Sequence, residues 1–253
     1  MDIEKSFQST SKILFGTEIG ALGEFEKYLL LMIDAPLEVK STLSGNDVYL
    51  SQHGYCRDAR FISLDEIGRL PVNTALSINE IKDIDSLFAA VKERLYYCGN
   101  NIIGNSMQVK KSDSCADAVF VLNSHQIISS KYVSYSYGIR AGEHVHGCMW
   151  CGEVSFSIRS HGIFKSTLCW DSYLAINSRA LYSSFNCRSC SDMLFSFNQV
   201  AKHYMIGNLE LQHDRYDSLK QKLMAEIAEE LRRKKRFPSL FELMMTPKGD
   251  QNG

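Results

Sequence analysis

The hexapeptide Cys151-Gly-Glu153-Val-Ser-Phe156 carries a motif that recurs along the chain: a cysteine, an acidic residue two positions later, and an apolar residue five positions after the cysteine. The motif returns from Cys56, Cys115, Cys169 and Cys190, and a looser copy starts at Ser130. The last five starts fall at positions 115, 130, 151, 169 and 190. A repeat of this length is one supersecondary unit that cannot bury its apolar face alone, so the motif predicts coils stacked into a solenoid.

The segments between these motif starts are short and strand-like, and no convincing helix interrupts them. Within each segment alternate residues are apolar, which predicts one face turned inward. Three of the segments begin at Val154, Leu174 and Leu194, at equal intervals. We therefore expect a mainly β protein, a β-solenoid with coils of about 20 residues, in which these positions stack above one another.

Three regions follow from this pattern. Residues 1–105 form an N-terminal α/β cap with strands and a helix at about 84–97, residues 106–212 form the solenoid, and residues 213–253 form a C-terminal helix and tail. Leucine or isoleucine recurs every four residues from Leu219, which is typical of an amphipathic helix. Repeat stacks have open ends, and we expect the two flanking regions to cover them.

The bulk composition restricts the class of protein. The chain has 28 basic and 29 acidic residues, a net charge of −1 that argues against nucleic acid as a partner. Its longest apolar run, 28–33, is too short to cross a bilayer, and its first residues lack a signal-peptide pattern. We expect a cytoplasmic protein, or a virion component if a phage encodes it. The eight cysteines are then reduced or metal-bound rather than disulfide-bonded.

The C-terminal part of the array carries a family resemblance. Residues 183–198 contain Cys187-Arg-Ser-Cys190, and they continue through residues 203–208 into Asp214-Arg-Tyr216. This pattern resembles a loosely defined group of uncharacterised cysteine-rich coil-repeat proteins of bacteriophages and candidate-phylum bacteria, over roughly residues 106–235. The resemblance implies a coil fold and a phage origin. It assigns no catalytic residue.

Two Cys-x-x-Cys pairs are the sharpest candidates for chemistry. Cys148, Cys151, Cys187 and Cys190 are enough thiolates for a tetrahedral structural zinc site. The stretch between the pairs exceeds the usual zinc-ribbon gap, and in a solenoid the pairs would lie about 10 Å apart, which is far for one ion. The main alternative is that these thiols are small buried groups in an inner ladder. A redox or catalytic role lacks the βαβ context that it needs.

Three other residue types allow a structural and a functional interpretation. The acidic repeat positions Asp58, Asp117, Glu153, Asp171 and Asp192 suit turns, and a pair of them would suit a cation or polysaccharide cleavage. Histidines of the array are expected to be solvated turn residues. Aromatic residues such as Phe120 and Phe156 are expected to stack inside the core, although outward ones could grip a sugar or a partner.

A short apolar segment follows the C-terminal helix. Phe237, Leu240, Phe241 and Met244 are apolar at helical spacing beside Pro238. Two interpretations stay open: the segment folds back onto the solenoid, or it inserts into a neighbouring subunit as an anchor.

The leading hypothesis is a non-enzymatic structural or interaction protein, a rigid scaffold docking on a protein partner or assembly, with a phage virion component as its concrete form. A zinc-stabilised binding module with a four-cysteine site is the alternative, and a polysaccharide-acting enzyme is the third. Nucleotide-binding glycine loops and the usual hydrolase motifs are missing from the sequence. No cofactor besides zinc is expected, and oligomerisation stays open.

Overall fold

The fold was determined as a computed structural model that describes residues 2–70 and 75–244, without the side chain of Met244. A β-solenoid of about nine coils spans residues 102–206. An α/β region precedes it, and a long helix follows it. The predicted mainly β solenoid with an N-terminal α/β region and a C-terminal helix is therefore confirmed.

The flanking regions contain all five helices of the described residues. The helices are α1 (Ile3–Phe15), α2 (Glu26–Leu29), α3 (Ile84–Lys92), α4 (His213–Lys234) and α5 (Leu240–Met244), with 3-10 turns at Leu22–Phe25, Leu64–Arg69 and Ile78–Glu80. The first strands are β1 (Leu37–Lys40), β2 (Asp47–Leu50), β3 (Phe61–Ser63) and β4 (Tyr97–Gly99). The sequence pattern did not predict α1, because Ser6, Thr10 and Ser11 lie on its buried face and hide the apolar stripe.

The solenoid strands are short and nearly uniform in length. Most have four residues and are separated by two: β5 (Ile102–Ile103), β6 (Met107–Lys110), β7 (Asp113–Ala116), β8 (Val119–Leu122), β9 (His125–Ile128), β10 (Lys131–Ser134), β11 (Tyr137–Arg140), β12 (Glu143–His146), β13 (Met149–Gly152), β14 (Ser155–Ile158), β15 (Thr167–Trp170), β16 (Arg179–Tyr182), β17 (Phe185–Arg188), β18 (Ser191–Leu194), β19 (Phe197–Val200), β20 (His203–Ile206) and β21 (Leu209–Glu210).

The coil is a twelve-residue unit, shorter than the sequence pattern predicted. Val121 pairs in parallel with Val133, which pairs in the same way with Val145, so each coil returns to the same place after twelve positions. Each coil contributes to two sides, a ten-stranded sheet and a five-stranded sheet that β17 and β19 extend. The intervals between the motif starts at 115, 130, 151, 169 and 190 are multiples of three but not of twelve.

The structural unit behind those intervals is a triplet. Every third residue from Gln108 to Gly207, glycine or not, has a positive φ of 45° to 67°. L-residues adopt this left-handed conformation at a cost of roughly 1–2 kcal/mol each, so its regular use defines the fold. Four such triplets complete each coil, and the residue after each left-handed position points inward.

Four inward columns fill the solenoid. Two lie behind the sheets and are mostly aliphatic: Val109, Val121, Val133, Val145, Ser157, Cys169, Leu181, Met193 and Met205 on one side, and Cys115, Ile127, Ile139, Cys151, Ile163, Ala175 and Cys187 on the other. The other two lie at the corners and consist mainly of serine. The prediction that alternate residues of each strand face inward was therefore wrong, because one residue in three faces the core.

The serine corner is a hydrogen-bonded ladder. Ser136 Oγ donates to the carbonyl of Ser134 at 2.8 Å and accepts from the amide of Cys148, one coil later, at 3.1 Å. Ser124 bonds in the same way to the carbonyl of Leu122 and the amide of Ser136. Each hydroxyl thus satisfies a buried carbonyl of its own coil and a buried amide of the next coil, groups that would otherwise be costly to bury.

The flanking helices cover a side of the solenoid rather than its ends. α1 packs along β8, β10, β12, β14 and β15 of the ten-stranded sheet, and α4 packs on α1 and β20. A second core, with Phe7, Trp170 and Leu231, lies between the helices and this sheet. Among the described residues, the N-terminal end of the solenoid is covered by the β1–β4 region and not by a helix. There the amide and the hydroxyl of Ser51 both donate to the carboxylate of Asp113 in the first coils.

The serine ladder yields a stability prediction. Ser136→Ala removes a buried acceptor from the amide of Cys148, and we expect a loss of about 1–3 kcal/mol in the free energy of unfolding. Urea unfolding followed by circular dichroism measures it. Ser129→Ala is the matched control, because Ser129 is exposed and its hydroxyl bonds no described residue. Equal losses in the two variants would show that the ladder contributes nothing specific.

Candidate functional site

The side of the solenoid away from α1 carries a continuous column of outward side chains, which we call the bare column. Each member is the strand partner of the next, one coil later. Five members are large apolar residues with 41–67 % of their surface exposed. The column consists of Ile103, Ala116, Ile128, Arg140, Gly152, Phe164, Ile176, Arg188 and Val200.

The equivalent column on the ten-stranded sheet shows what the bare column lacks. It contains Ile158, Trp170, Tyr182 and Leu194, which α1 and α4 bury almost completely. The two columns occupy the same position in the triplet on opposite sides of one coil. Among the described residues, no helix packs on the second one. Exposed apolar surface of this extent commonly marks an interaction site.

The side of the solenoid that carries the bare column is called the open face. Glycines determine how bulky side chains lie on it. A Cβ built on Gly138 would be 3.0 Å from Cε3 of Trp150, and one built on Gly152 would be 3.1 Å from the ring of Phe164. In both cases the bulky residue is one full coil after the glycine, so its side chain leans over the backbone of the preceding coil. Gly162 supports Leu174 in the same way, at 3.2 Å.

These rings border a groove of about 830 Å³ on the middle coils. Trp150 and Phe164 lie beside it and are 52 % and 50 % exposed. Four polar residues, Gln126, Ser129, Arg140 and Glu153, also line it. The sequence pattern did not reveal this groove. A glycine followed twelve residues later by a bulky side chain is a usable signal only when the coil length is known.

The structure places the four cysteines of the predicted zinc site on three inward columns. Cys151 and Cys187 share a column but lie three coils apart, about 14 Å at roughly 4.8 Å per coil. Cys148 and Cys190 occupy the two corner columns. Within residues 2–70 and 75–244 there is no group of three or more histidine, cysteine or acidic side chains that could hold a metal ion. The geometry thus favours the buried-ladder interpretation.

Cys148 and Cys190 take the place of serine in the corner ladders. The thiol of Cys148 donates to the carbonyl of His146 and accepts from the amide of Ser160. The thiol of Cys190 donates to the carbonyl of Arg188, and the amide of Cys190 donates to Ser178 Oγ. Burial raises the pKa of Cys169 to about 12 and that of Cys187 to about 11, so these thiols are protonated near neutral pH.

The acidic repeat positions do not form a pair. Asp58 lies in the N-terminal region. Asp117 and Glu153 share one column three coils apart, about 14 Å at roughly 4.8 Å per coil, beyond the roughly 5–9.5 Å that glycoside hydrolysis uses. Asp117 instead accepts from the amide of Asn105 at 2.9 Å, which is turn chemistry. Asp192 lies 3.5 Å from Lys220 of α4.

The expectation that the array's aromatic residues stack inside the core holds only in part: Trp170 and Tyr182 are buried in the core beneath the helices, but others lie on the outer surface of the coils. Phe120, Tyr132, His144 and Phe156 do form a stack, with centroids 4.9–5.1 Å apart, but on the outer surface of the ten-stranded sheet. All four occupy left-handed triplet positions, which point away from the core. The inward columns consist mainly of aliphatic and small side chains because a twelve-residue coil encloses little volume.

Three histidines expected in solvated turns are buried. His146 is fully buried beneath α1, where its ring lies 3.3 Å from Ser6 Oγ and 2.8 Å from Ser134 Oγ. His144 bonds the same Ser6 hydroxyl at 3.1 Å. His161 is buried on Tyr173, while His203 is exposed as expected. Burial lowers the pKa of His146 to about 3, with the neighbouring His144 adding to the effect.

A buried ion pair joins three parts of the chain at one corner of the solenoid. Arg159 donates to Asp171, one coil later, at 2.8 Å and to Glu242 of α5 at 3.1 Å. Its guanidinium lies 4.4 Å from the ring centroid of Tyr28. Burial raises the pKa of the Asp171 carboxyl, and the adjacent guanidinium opposes that shift. This network attaches the C-terminal segment to the solenoid.

The C-terminal apolar segment folds back onto the solenoid, one of the two alternatives left open. Phe237 packs on Trp170, with centroids 5.4 Å apart. Phe241 stacks on Tyr173 at 5.5 Å. Leu240 is half-buried, and the side chain of Met244 lies outside the described residues. Two of the predicted partner-binding residues, Phe237 and Phe241, therefore contact their own chain in this structure.

Across the described ranges, no helix combines the length and apolar character needed to cross a membrane. Comparison of the chain with protein families, curated proteins and solved structures finds no match. The interpretation of the site therefore depends on its own geometry.

The cysteine positions give a paired prediction. Cys148→Ser places a serine between Ser136 and Ser160 of the ladder, and we expect a change of less than about 1 kcal/mol in unfolding free energy. Cys151→Ser replaces a thiol packed between Ile139 and Ile163 by a smaller hydroxyl that keeps the Met149 carbonyl as an acceptor but loses apolar contact, and we expect a loss of about 1–2 kcal/mol. Urea unfolding compares the two variants.

A structural zinc site would give a different result. Both substitutions would then remove a ligand, lower the zinc content and destabilise the protein together. Elemental analysis of protein purified without added zinc accompanies the unfolding measurement. One zinc per chain, lost in both variants, would contradict the ladder interpretation.

The buried His146 is expected to make the folded state less stable in acid. Its pKa is about 3 when folded and near 6.5 when unfolded, so the unfolded state takes up the proton first as the pH falls below 6.5. Above pH 6.5 the titration of His146 does not change the free energy of unfolding. At pH 4.5 it lowers the free energy of unfolding by about 2–3 kcal/mol. Urea midpoints at pH 7.5 and 4.5 measure the effect. The His146→Gln variant, which cannot titrate there, should lose clearly less over the same interval.

Proposed function

We propose that this chain is a non-enzymatic interaction scaffold that docks on a partner protein subunit through its open face. The observation that supports the proposal best is the bare column, which has the position and the apolar character of the column that α1 and α4 bury, but no cover among the described residues. A helix-braced solenoid presents such a surface without needing to reorganise on binding, which lowers the entropic cost of association.

The C-terminal end of the open face carries four large, exposed apolar residues, which we call the docking patch. It consists of Leu174, Ile176, Phe197 and Val200, which are 54 %, 41 %, 45 % and 67 % exposed. They form two pairs, Leu174 with Ile176 and Phe197 with Val200, which lie two coils apart on the same face, and Phe185 and Arg188 occupy the coil between them. Large apolar residues clustered in this way commonly carry most of the binding energy of a protein interface.

The C-terminal segment adjoins this patch. Phe241 stacks on Tyr173, the residue before Leu174, and its ring centroid lies 6.4 Å from that of Phe185, the strand partner of Phe197. Leu243, two residues further, is 73 % exposed. This segment, for which the sequence left open a role as a partner anchor, thus extends the patch while being held by its own solenoid.

The edge of the open face adds a second means of docking. Among the described residues, β19 pairs with β17 alone, and its other edge faces the end of the solenoid. The Asn208 side chain bonds the amide and the carbonyl of Phe197 at 2.8 and 3.1 Å. The rest of β19 is open, and edge strands of this kind accept a strand from a partner.

The partner class follows from these surfaces. An apolar patch, an open strand edge and a near-neutral net charge suit a protein subunit of an assembly better than nucleic acid. A phage virion or its assembly pathway is the setting that the sequence resemblance suggests. The zinc and polysaccharide-cleavage alternatives have less support, because the thiols and the carboxylates that they need lie coils apart.

Site-specific photo-crosslinking in the native host tests the proposal. A photoreactive residue at Phe197 is expected to crosslink to one protein species, which mass spectrometry identifies. The double variant Leu174→Glu with Val200→Glu should weaken that crosslink about tenfold or more, because it places charge in an apolar contact. Circular dichroism confirms that the variants fold.

The control crosslinker replaces Gln221, an exposed residue of α4 on the opposite side of the molecule. The same species captured equally from Phe197 and Gln221, or a Phe197 crosslink that persists in the double variant, would count against docking through the open face.

A further inference from the structure

The groove on the middle coils lies apart from the docking patch and has a different chemical character. Its volume is about 830 Å³, within the range of small-molecule sites in proteins. Aromatic carbons and polar side chains share its lining, whereas the patch is apolar. Most of its residues come from β9, β11 and β13 and the turns after them, all held by the parallel ladder.

Trp150 provides a flat platform beside the groove. Three carbons of its six-membered ring lie 3.0–3.4 Å from a Cβ position on Gly138, so one side of the ring rests on the backbone of the preceding coil. Tyr137 supports it from the side, with centroids 4.7 Å apart and ring planes at 60°. Slightly more than half of the tryptophan surface, 52 %, remains exposed. A ring supported in this way offers its free surface to a ligand at little entropic cost.

Phe164 forms a second platform one coil further along. Two of its ring carbons lie 3.1 Å from a Cβ position on Gly152, and half of its surface is exposed. Gly138 and Gly152 belong to the paired strands β11 and β13. Two supported rings along one groove suit an extended ligand with repeated apolar surfaces.

The polar lining is not used by the protein itself. The side chains of Gln126, Ser129, Arg140 and Glu153 make no hydrogen bond or ion pair with any residue in the described ranges. Together they offer donors from the guanidinium and the amide, and acceptors from the carboxylate and the amide. The one positive and the one negative charge cancel, so the groove has no net preference for an ionic ligand.

We propose that this groove binds a neutral oligosaccharide, with one pyranose ring stacked on Trp150 and a neighbouring sugar unit near Phe164. A pyranose has an apolar C–H face that packs on an aromatic ring and a rim of hydroxyls that both donate and accept. A nucleic acid would require excess positive charge, and an acyl chain would leave four polar side chains unsatisfied. The proposal does not depend on the docking patch, since none of its residues belongs to that patch.

The two tryptophans of the chain make binding directly observable. Trp150 is half-exposed at the groove, while Trp170 is fully buried under α1 and α4. Purified protein is titrated with a panel of neutral oligosaccharides, built from α- or β-linked hexoses or from N-acetylhexosamines, while the tryptophan emission is recorded. Saturation-transfer NMR then identifies the protons that contact the ring. We expect a saturable change in emission with at least one member and transfer to the C–H protons of one sugar face.

Three variants test the assignment to the groove. Trp150→Ala should weaken binding at least tenfold and remove the emission change. Gly138→Ala should weaken it by displacing the indole while leaving the tryptophan in place. Glu153→Gln keeps both platforms and should weaken binding by a smaller factor through lost acceptor strength. Phe197→Ala is the matched control on the same face, and it should bind as the unaltered protein does.

Several outcomes would overturn the proposal. They are no binding by any panel member at millimolar concentration, equal binding by Trp150→Ala and the unaltered protein, or binding restricted to acidic oligosaccharides or to peptides. Crosslinking from Phe197 reports separately on the docking patch, so failure of one proposal leaves the other to its own test.

Discussion

The hydrogen bond that a corner hydroxyl accepts from an amide of the next coil is the constraint on which the rest of the structure depends. A coil this short must turn at each of its four triplets, and the turns leave amides and carbonyls at the buried corners. Ser124, Ser136, Ser160 and Ser172 satisfy them from within, and Cys148 fills the coil between Ser136 and Ser160. This ladder and the parallel strand pairs offset the cost of a left-handed residue at every third position. Because the ladder needs a small polar side chain at a fixed place, it also sets the register of every other column.

That register creates two unlike sides from one repeating unit. Positions on either side of the coil are geometrically equivalent, yet Trp170 and Leu194 lie under helices whereas Phe164 and Ile176 face solvent. α1 and α4 supply the second core on one side, and they leave the opposite side available. The difference between a covered side and an exposed side follows from where the two helices pack.

The sequence predicted the kind of fold better than its dimensions. Recurrent cysteine motifs and short strand-like runs were enough for a solenoid, and the four-residue period from Leu219 was enough for α4. The coil length was wrong because motif starts such as 115 and 130 share a triplet position but not a column, and spacing alone does not distinguish a multiple of three from a full coil. Left-handed Phe120 and Leu168 could not be foreseen, since neither residue type favours that conformation. The burial of His146 depends on α1, whose serine-rich inner face concealed its amphipathic character, and the groove became recognisable only once Gly138 and Trp150 were known to be neighbours in space.

The glycine-supported side chains have one further consequence. The side chains of Trp150, Phe164 and Leu174 all tilt toward the N-terminal end of the solenoid. Each one covers a glycine of the preceding coil. A linear molecule lying along this surface would therefore meet a different relief when its two ends are exchanged. A linear ligand would therefore bind in one preferred orientation along the solenoid axis. A smooth face would not distinguish its two orientations.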